Sequence, residues 1–280
     1  MDFHVKPLSG TIGAEIHGID IAKPWSSEAI AFIHAAVLDY HVVFFPHQSP
    51  ITPERHIEFG RCFGKLQMNY QSFSSRMEGY PEIVFFDGSK PNGRPAVWHT
   101  DITLSATPPM GSIMYMKELP ERGGDTMWAD LCAAYDALSP KMQEILAGLT
   151  AVHDMFSVEY RTRPGGFDPR DVKEIDYSKV SKAEHPIVRV HPESGRRCLF
   201  INPLFTSHIV GLTTEESHLL LNYLFTHMQQ SEFICRRHWS KGDVAFWDNR
   251  CTMHRAVNDF GEGRRVVHRV CIEGDVPFGV

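Results

Sequence analysis

Phe233-Ile-Cys-Arg-Arg-His-Trp-Ser-Lys-Gly-Asp-Val-Ala-Phe-Trp247 reads as two strands, 233–239 and 244–247, about the turn Ser240-Lys-Gly-Asp243. Aromatic and β-branched residues on both sides of a Gly-containing turn are a hairpin signal. The same reading extends outward. Residues 186–190 and 198–202 flank His191-Pro-Glu-Ser-Gly195 as a second hairpin, and 264–272 closes the chain as a strand. Residues 4–21, broken by Gly10, Gly13 and Gly18, suggest a short strand pair. Val42-Val-Phe-Phe45 is a strand stopped by Pro46, and 126–128 is another. Helices are expected at 26–40, where Ile30, Ile33, Ala36 and Val37 share a face and Ser26 or Ser27 caps the start. Others run from Thr52-Pro53 to about 63–64, from 131 to 149, and from 217 to 228 after the capping box Thr213-x-x-Glu216. Residues 155–184 are turn-rich and read as a surface excursion. Early helices and a strand-dense end predict a mainly β fold with helical insertions, a jelly roll wrapped by helices. Its length suits one domain, 1–280.

Composition narrows the function. The net charge of −6 argues against a nucleic-acid or membrane-surface role, since phosphate surfaces attract basic patches. No run of 18 apolar residues suggests a membrane span. Met1 to Gly10 carries Asp2 and Lys6 and lacks an apolar core, so no secretory leader is expected. The six cysteines include no C-x-x-C pair, so spacing predicts neither a disulfide framework nor a thiolate zinc site. They read as reduced thiols of a cytoplasmic protein.

Trp98-His-Thr-Asp101 lies in an extended stretch, where alternation aims His99 and Asp101 the same way. One imidazole and one carboxylate from a strand, joined by a second histidine, make a face that suits Fe(II). Such a face leaves coordination positions open for a chelating cosubstrate and O₂. Chance supplies about one His-x-Asp in such a chain, so the pair alone reads equally well as a surface ion pair. His254 follows a strand and a turn and can meet the pair from an opposite strand; the other reading makes it a core histidine bonded to Asp248. His56-Ile-Glu58 and His191-Pro-Glu193 read as surface positions.

On the last strand Arg265, Val267, Arg269 and Cys271 share a face, with the two arginines about 13 Å apart. Inward arginines need anions, so two of them imply two anionic groups, from protein or from ligands. Solvent-facing arginines are the alternative.

These motifs resemble those of the taurine dioxygenase and phenoxyalkanoate dioxygenase family of Fe(II)/2-oxoglutarate oxygenases. The resemblance runs through Trp98–Asp101, Gly123-Gly-Asp-Thr126, Ala134-Tyr-Asp-Ala-Leu138, His185-Pro186, His191-Pro-x-Ser-Gly195, Trp247-Asp-Asn-Arg250, His254 and Arg265 to Arg269. It implies a double-stranded β-helix, iron on His99, Asp101 and His254, and 2-oxoglutarate gripped by Arg265 and Thr126. It also implies O₂ as oxidant and hydroxylation of a small substrate, with succinate and CO₂ as coproducts. Arg269 matches a position that binds the substrate anion in relatives acting on sulfonates, and Phe205 matches a pocket aromatic. Asn69 stands where the taurine enzymes have a histidine and Ser72 where they have a tyrosine, which leads away from taurine itself. A sulfonate, a sulfate ester or an aryloxyalkanoate is the expected substrate class, and a homo-oligomer the expected assembly. Two rival readings are a zinc hydrolase on the same ligands and a non-catalytic jelly-roll binding protein.

Overall fold

The structure is a computed structural model that describes residues 3–68, 75–88, 96–154, 181–260 and 263–280. The chain opens with β1 (His4–Pro7), β2 (Ala14–His17), α1 (Ser27–Tyr40), β3 (Val42–Phe45) and α2 (Pro53–Arg61). Then come β4 (Ser75–Met77), β5 (Tyr80–Gly88), β6 (Gly111–Glu118), β7 (Thr126–Asp130), α3 (Leu131–Asp136), α4 (Pro140–Leu146) and β8 (Thr150–His153). The last part holds β9 (Ala183–Pro186), β10 (Val188–Val190), β11 (Arg197–Leu199), β12 (Thr206–Ile209) and α5 (Thr214–Met228). It ends with β13 (Ile234–Arg237), β14 (Val244–Asp248), β15 (Thr252–Ala256) and β16 (Arg265–Ile272).

Among the described residues, one sheet runs β1-β2-β3-β14-β6-β16-β5-β4 and a smaller one β13-β7-β15. Period-2 alternation explains how the larger sheet is buried on both faces. Val43, Phe45, Ile113, Tyr115, Val244 and Phe246 pack toward a cluster with Ile33 and Val37 of α1 and Phe59 of α2. Their neighbours Val42, Phe44, Met114, Met116, Ala245 and Trp247 pack instead with Trp128 and Cys235 of the smaller sheet. A strand covered on both sides has no need of polar residues, hence the unbroken apolar run at 42–45. The two sheets face each other through this second cluster, which is the interior of a jelly roll.

The helix starts follow their caps. Ser26 Oγ accepts from Ala29 N, Thr52 Oγ1 from Arg55 N, and Thr213 and Glu216 close a reciprocal capping box. The short strand pair near the N-terminus and the hairpin around 191–195 are present as β1–β2 and β10–β11.

Three expectations are corrected. The stretch 233–247 does hold two strands, but they are not a hairpin: β13 pairs with β7, whereas β14 pairs with β3 and β6. Its turn carries the chain from one sheet to the other. The single helix expected at 131–149 is two, because Pro140 cannot continue α3 and starts α4, with Ser139 as its cap. The helix at 53 ends at Arg61 rather than near 63–64. The excursion at 155–184 falls mostly outside the described residues.

Candidate metal and cosubstrate site

His254 lies on β15 and His99 bridges to it: His99 N donates to His254 O at 2.9 Å and His254 N to His99 O at 2.7 Å. Asp101 is not on a strand. It sits in a turn where Ile102 takes the left-handed region, φ 50°. The turn is held by Asn249, whose Oδ1 accepts Asp101 N at 2.8 Å. Its Nδ2 donates to Asp101 O at 3.1 Å and to Pro109 O at 3.0 Å. One side chain therefore satisfies both backbone groups of the residue bearing the carboxylate. Two histidines zipped by backbone bonds and one aspartate clamped by an amide leave the three side chains little freedom.

Their ligand atoms all lie within 4.8 Å of one another. His99 Nε2 is 3.8 Å and His254 Nε2 3.9 Å from Asp101 Oδ1. Val97 O, 2.8 Å from His99 Nδ1, accepts that nitrogen's hydrogen and leaves the Nε2 lone pair for a metal. Burial pushes both imidazoles below their ordinary range, so they are neutral donors at neutral pH. Burial works against the Asp101 charge too. The Arg269 guanidinium, both histidines and a hydrogen bond from Ser112 overcome it and hold the carboxyl at about 2. Two neutral imidazoles and one ionised carboxylate fit a divalent iron with positions left open. The side chain of His99 keeps 26% exposure, against 8% for His254 and 3% for Asp101, so the open approach lies on the His99 side. Behind His254, Trp247 and Trp128 close the interior, with ring centroids 4.9 and 6.5 Å away. The reading of His254 as a partner of Asp248 is replaced: Asp248 is taken by Arg250 and His191.

Arg265, on the strand of Arg269, meets Thr126, on the strand paired with that of His254. Arg265 Nε donates to Gly124 O at 3.1 Å and Nη2 to Thr126 Oγ1 at 3.3 Å. Gly124 has φ +75°, the left-handed region that favours glycine, and a Cβ there would stand 3.3 Å from the Arg265 side chain. Thr126 Oγ1 also accepts from Trp239 Nε1 at 3.0 Å. With both lone pairs engaged, its hydroxyl proton is left to donate, and no acceptor for it lies among the described residues. Burial lowers Arg265 to about 10, and no carboxylate pairs with it among the described residues. A half-buried guanidinium that feels Asp125 but forms no ion pair among the described residues, next to an unused O–H donor, is complementary to a carboxylate ligand.

Arg269 has found its anion in the protein. Its Nη1 lies 3.0 Å from both Asp101 oxygens, and its guanidinium stands 5.0 Å from the Phe86 ring. Phe205 lies in the turn before β12. Its N–H is held by Asn202 at 2.9 Å, and Asn202 in turn donates to Thr103 Oγ1 at 3.1 Å, two residues beyond Asp101. Asn69 and Ser72 lie outside the described residues. Asn249 and Ser112 were missed from sequence. Asn249 lies in Trp247-Asp-Asn-Arg250, where nothing local marks it as a clamp, and Ser112 gives no local signal. His56 and His191, read as surface positions, are both 2% exposed. His56 Nε2 bonds to Ile113 O and His191 to Asp248.

A sequence profile described as "Taurine catabolism dioxygenase TauD, TfdA family" matches residues 4–271. The chain is 34% identical to an alpha-ketoglutarate-dependent sulfate ester dioxygenase of Pseudomonas putida, covering 100% of this chain and 92% of that one. It is also 34% identical to an alkylsulfatase of Acinetobacter baylyi, covering 98% and 86%. Among solved structures, a taurine dioxygenase from Burkholderia xenovorans superposes with a TM-score of 0.82 at 38% identity, covering 99% and 93%. AAD-2 in complex with Mn(II) and N-oxalylglycine superposes at 0.83 with 25% identity, covering 99% of each chain.

Proposed function

The chain belongs to the taurine catabolism dioxygenase TauD, TfdA family, and from that premise we propose that His99, Asp101 and His254 hold its iron while Arg265 and Thr126 hold its cosubstrate. The protein is an Fe(II)- and 2-oxoglutarate-dependent dioxygenase that consumes O₂. The observation that carries the site assignment is the convergence of the three ligand atoms within 4.8 Å, with Arg265 of β16 and Thr126 of β7 hydrogen-bonded to each other. When bound, iron and 2-oxoglutarate together turn O₂ into an oxidant that hydroxylates a C–H bond, with succinate and CO₂ released.

The chain's own residues bind and orient. The Arg265 fork and the Thr126 proton receive the distal carboxylate of 2-oxoglutarate. Asn249 and Ser112 keep the Asp101 carboxylate in place, and the tryptophans keep water from the rear of the site. AAD-2, solved with Mn(II) and N-oxalylglycine, a molecule with two carboxylates, supports a diacid as cosubstrate.

The substrate is a small organic anion, a sulfate ester, a sulfonate or an aryloxyalkanoate, by the activities named for the relatives. Arg269 is assigned to its anionic group, sharing the guanidinium with Asp101. Phe205, and Asn69 from outside the described residues, are assigned to the pocket wall. Hydroxylation of the carbon bearing a sulfate or aryloxy group yields a product that falls apart by itself, so no protein nucleophile is required.

Two outcomes follow. Arg265→Ala raises the 2-oxoglutarate concentration needed for half-maximal succinate release by at least about tenfold, since a hydrogen bond to an ion contributes about 1.5–3 kcal/mol. An unchanged requirement would move the carboxylate to another residue. Arg269→Ala weakens dependence on the primary substrate by a similar factor of about ten. It also releases more succinate per product, because a loosely held substrate is poorly aimed. The experiment is a screen of alkyl sulfates, sulfonates and aryloxyalkanoates for substrate-stimulated succinate, followed by kinetics of the variant. A neutral best substrate, or unchanged kinetics and coupling in Arg269→Ala, would leave Arg269 as a partner of Asp101 alone.

A further inference from the structure

Cys132, Cys198 and Cys251 belong to separate segments: the first turn of α3, strand β11, and the turn between β14 and β15. None exceeds 1% exposure. The sulfurs of Cys132 and Cys251 and a ring nitrogen of His41 lie within 4.8 Å of one another. The Cys198 thiol donates to the Arg250 carbonyl oxygen at 3.3 Å, and its sulfur neighbours that of Cys132. His41 follows α1 in the left-handed region, φ 61°, and is 2% exposed. Its Nε2 lies 3.4 Å from Arg196 Nη1, and its Nδ1 is 3.2 Å from Asp130 Oδ1. That oxygen already accepts the N–H groups of Cys132 and Ala133. An imidazole and two cysteine sulfurs converging in a dry interior are a donor set that a metal ion takes up.

We propose that His41, Cys132 and Cys251 form a second, closed metal site for zinc, with Cys198 the neighbouring thiol that supplies a fourth ligand. Thiolate and imidazole donors select a borderline-soft ion such as Zn(II), whereas the His99–Asp101–His254 face suits iron. Three thiolates and a neutral imidazole leave Zn(II) with one net negative charge, beside the Arg196 guanidinium at 3.4 Å from His41 Nε2. Ligands at about 2.0–2.3 Å from zinc stand about 3.5–3.8 Å apart, so closure asks for small side-chain shifts. The overlapping group His191, Asp248 and Cys251 is a poorer candidate, because its carboxylate is already paired with Arg250 and His191. The site would staple the end of α1 and the start of α3 to the turn that leads into His254. Its cysteines are far apart in sequence, which is why no zinc-binding spacing announces it.

The test counts zinc by mass spectrometry in desalted protein grown with added zinc. It uses the His99→Ala/His254→Ala background, so that the other site cannot hold the ion. We expect about one zinc per chain. Cys132→Ser and Cys251→Ser should each lower that content by at least about tenfold, since a lost ligand costs more than the 10–100-fold of an outer partner. Zinc near zero in the background protein, or content unaffected by either serine, overturns the site. Should the serine variants not fold, Co(II) added to the unmutated protein decides. Thiolate-to-cobalt charge-transfer absorption supports the site, and its absence at saturating cobalt removes it.

Discussion

His99→Ala, Asp101→Ala and His254→Ala each lower iron-dependent succinate release by more than about 100-fold, the upper end of what losing even an outer partner of a metal ligand costs. The variants differ in what else they disturb. His99 is partly exposed and its backbone bridge to His254 survives truncation, so His99→Ala should keep the fold and its melting temperature. Asp101→Ala also strips the carboxylate from Arg269, which is 6% exposed, and should lower stability as well. Bound iron, measured alongside turnover, separates loss of metal from loss of fold. Normal turnover in Asp101→Ala without added carboxylate would reject the ligand assignment.

Asp248→Ala destabilises the fold by about 3–5 kcal/mol, the cost of breaking a buried ion pair from one side. Asp248 has no exposed surface and accepts Arg250 N and Nε on Oδ1, both at 2.9 Å. Its Oδ2 accepts Arg250 Nη2 at 2.6 Å and His191 Nε2 at 3.0 Å. The N–H groups of Glu193 and Ser194 donate to His191 Nδ1, so its hydrogen is on Nε2 and points at the carboxylate. Burial opposes the Asp248 charge, but Arg250 and His191 win and hold the carboxyl far below the usual range. The sign follows. A carboxyl depressed on folding adds stability above its unfolded value of about 4, and that stability is lost as pH falls below it. Urea unfolding of Asp248→Asn across the acid range should therefore show a flatter decline than the wild type. Equal acid sensitivity would mean that other carboxylates set the acid limb.

Much of the site was legible because its signals are local. His-x-Asp with a later histidine marks a ligand face, Gly123-Gly124 marks a backbone turn, and period-2 alternation puts Arg265 and Arg269 on one face. What stayed hidden depends on long-range pairing. The turn at 240–243 looks the same whether its strands pair with each other or diverge into two sheets, and here they diverge. Asp101 was read on a strand, yet it reaches the same face from a turn that Asn249 clamps across 148 residues. Arg269 was expected to need an anion, and spacing could not say that Asp101 supplies it. His56 and His191 look like surface residues until the carbonyl and carboxylate that satisfy them are in view.

The most direct test of the account is succinate release from 2-oxoglutarate with an alkyl sulfate present, comparing Fe(II) with zinc and air with nitrogen. Succinate is expected only with Fe(II) and O₂ together, in step with substrate consumed, and none from His99→Ala. Substrate turnover that proceeds under nitrogen with zinc in place of iron would contradict it and make the protein a hydrolase.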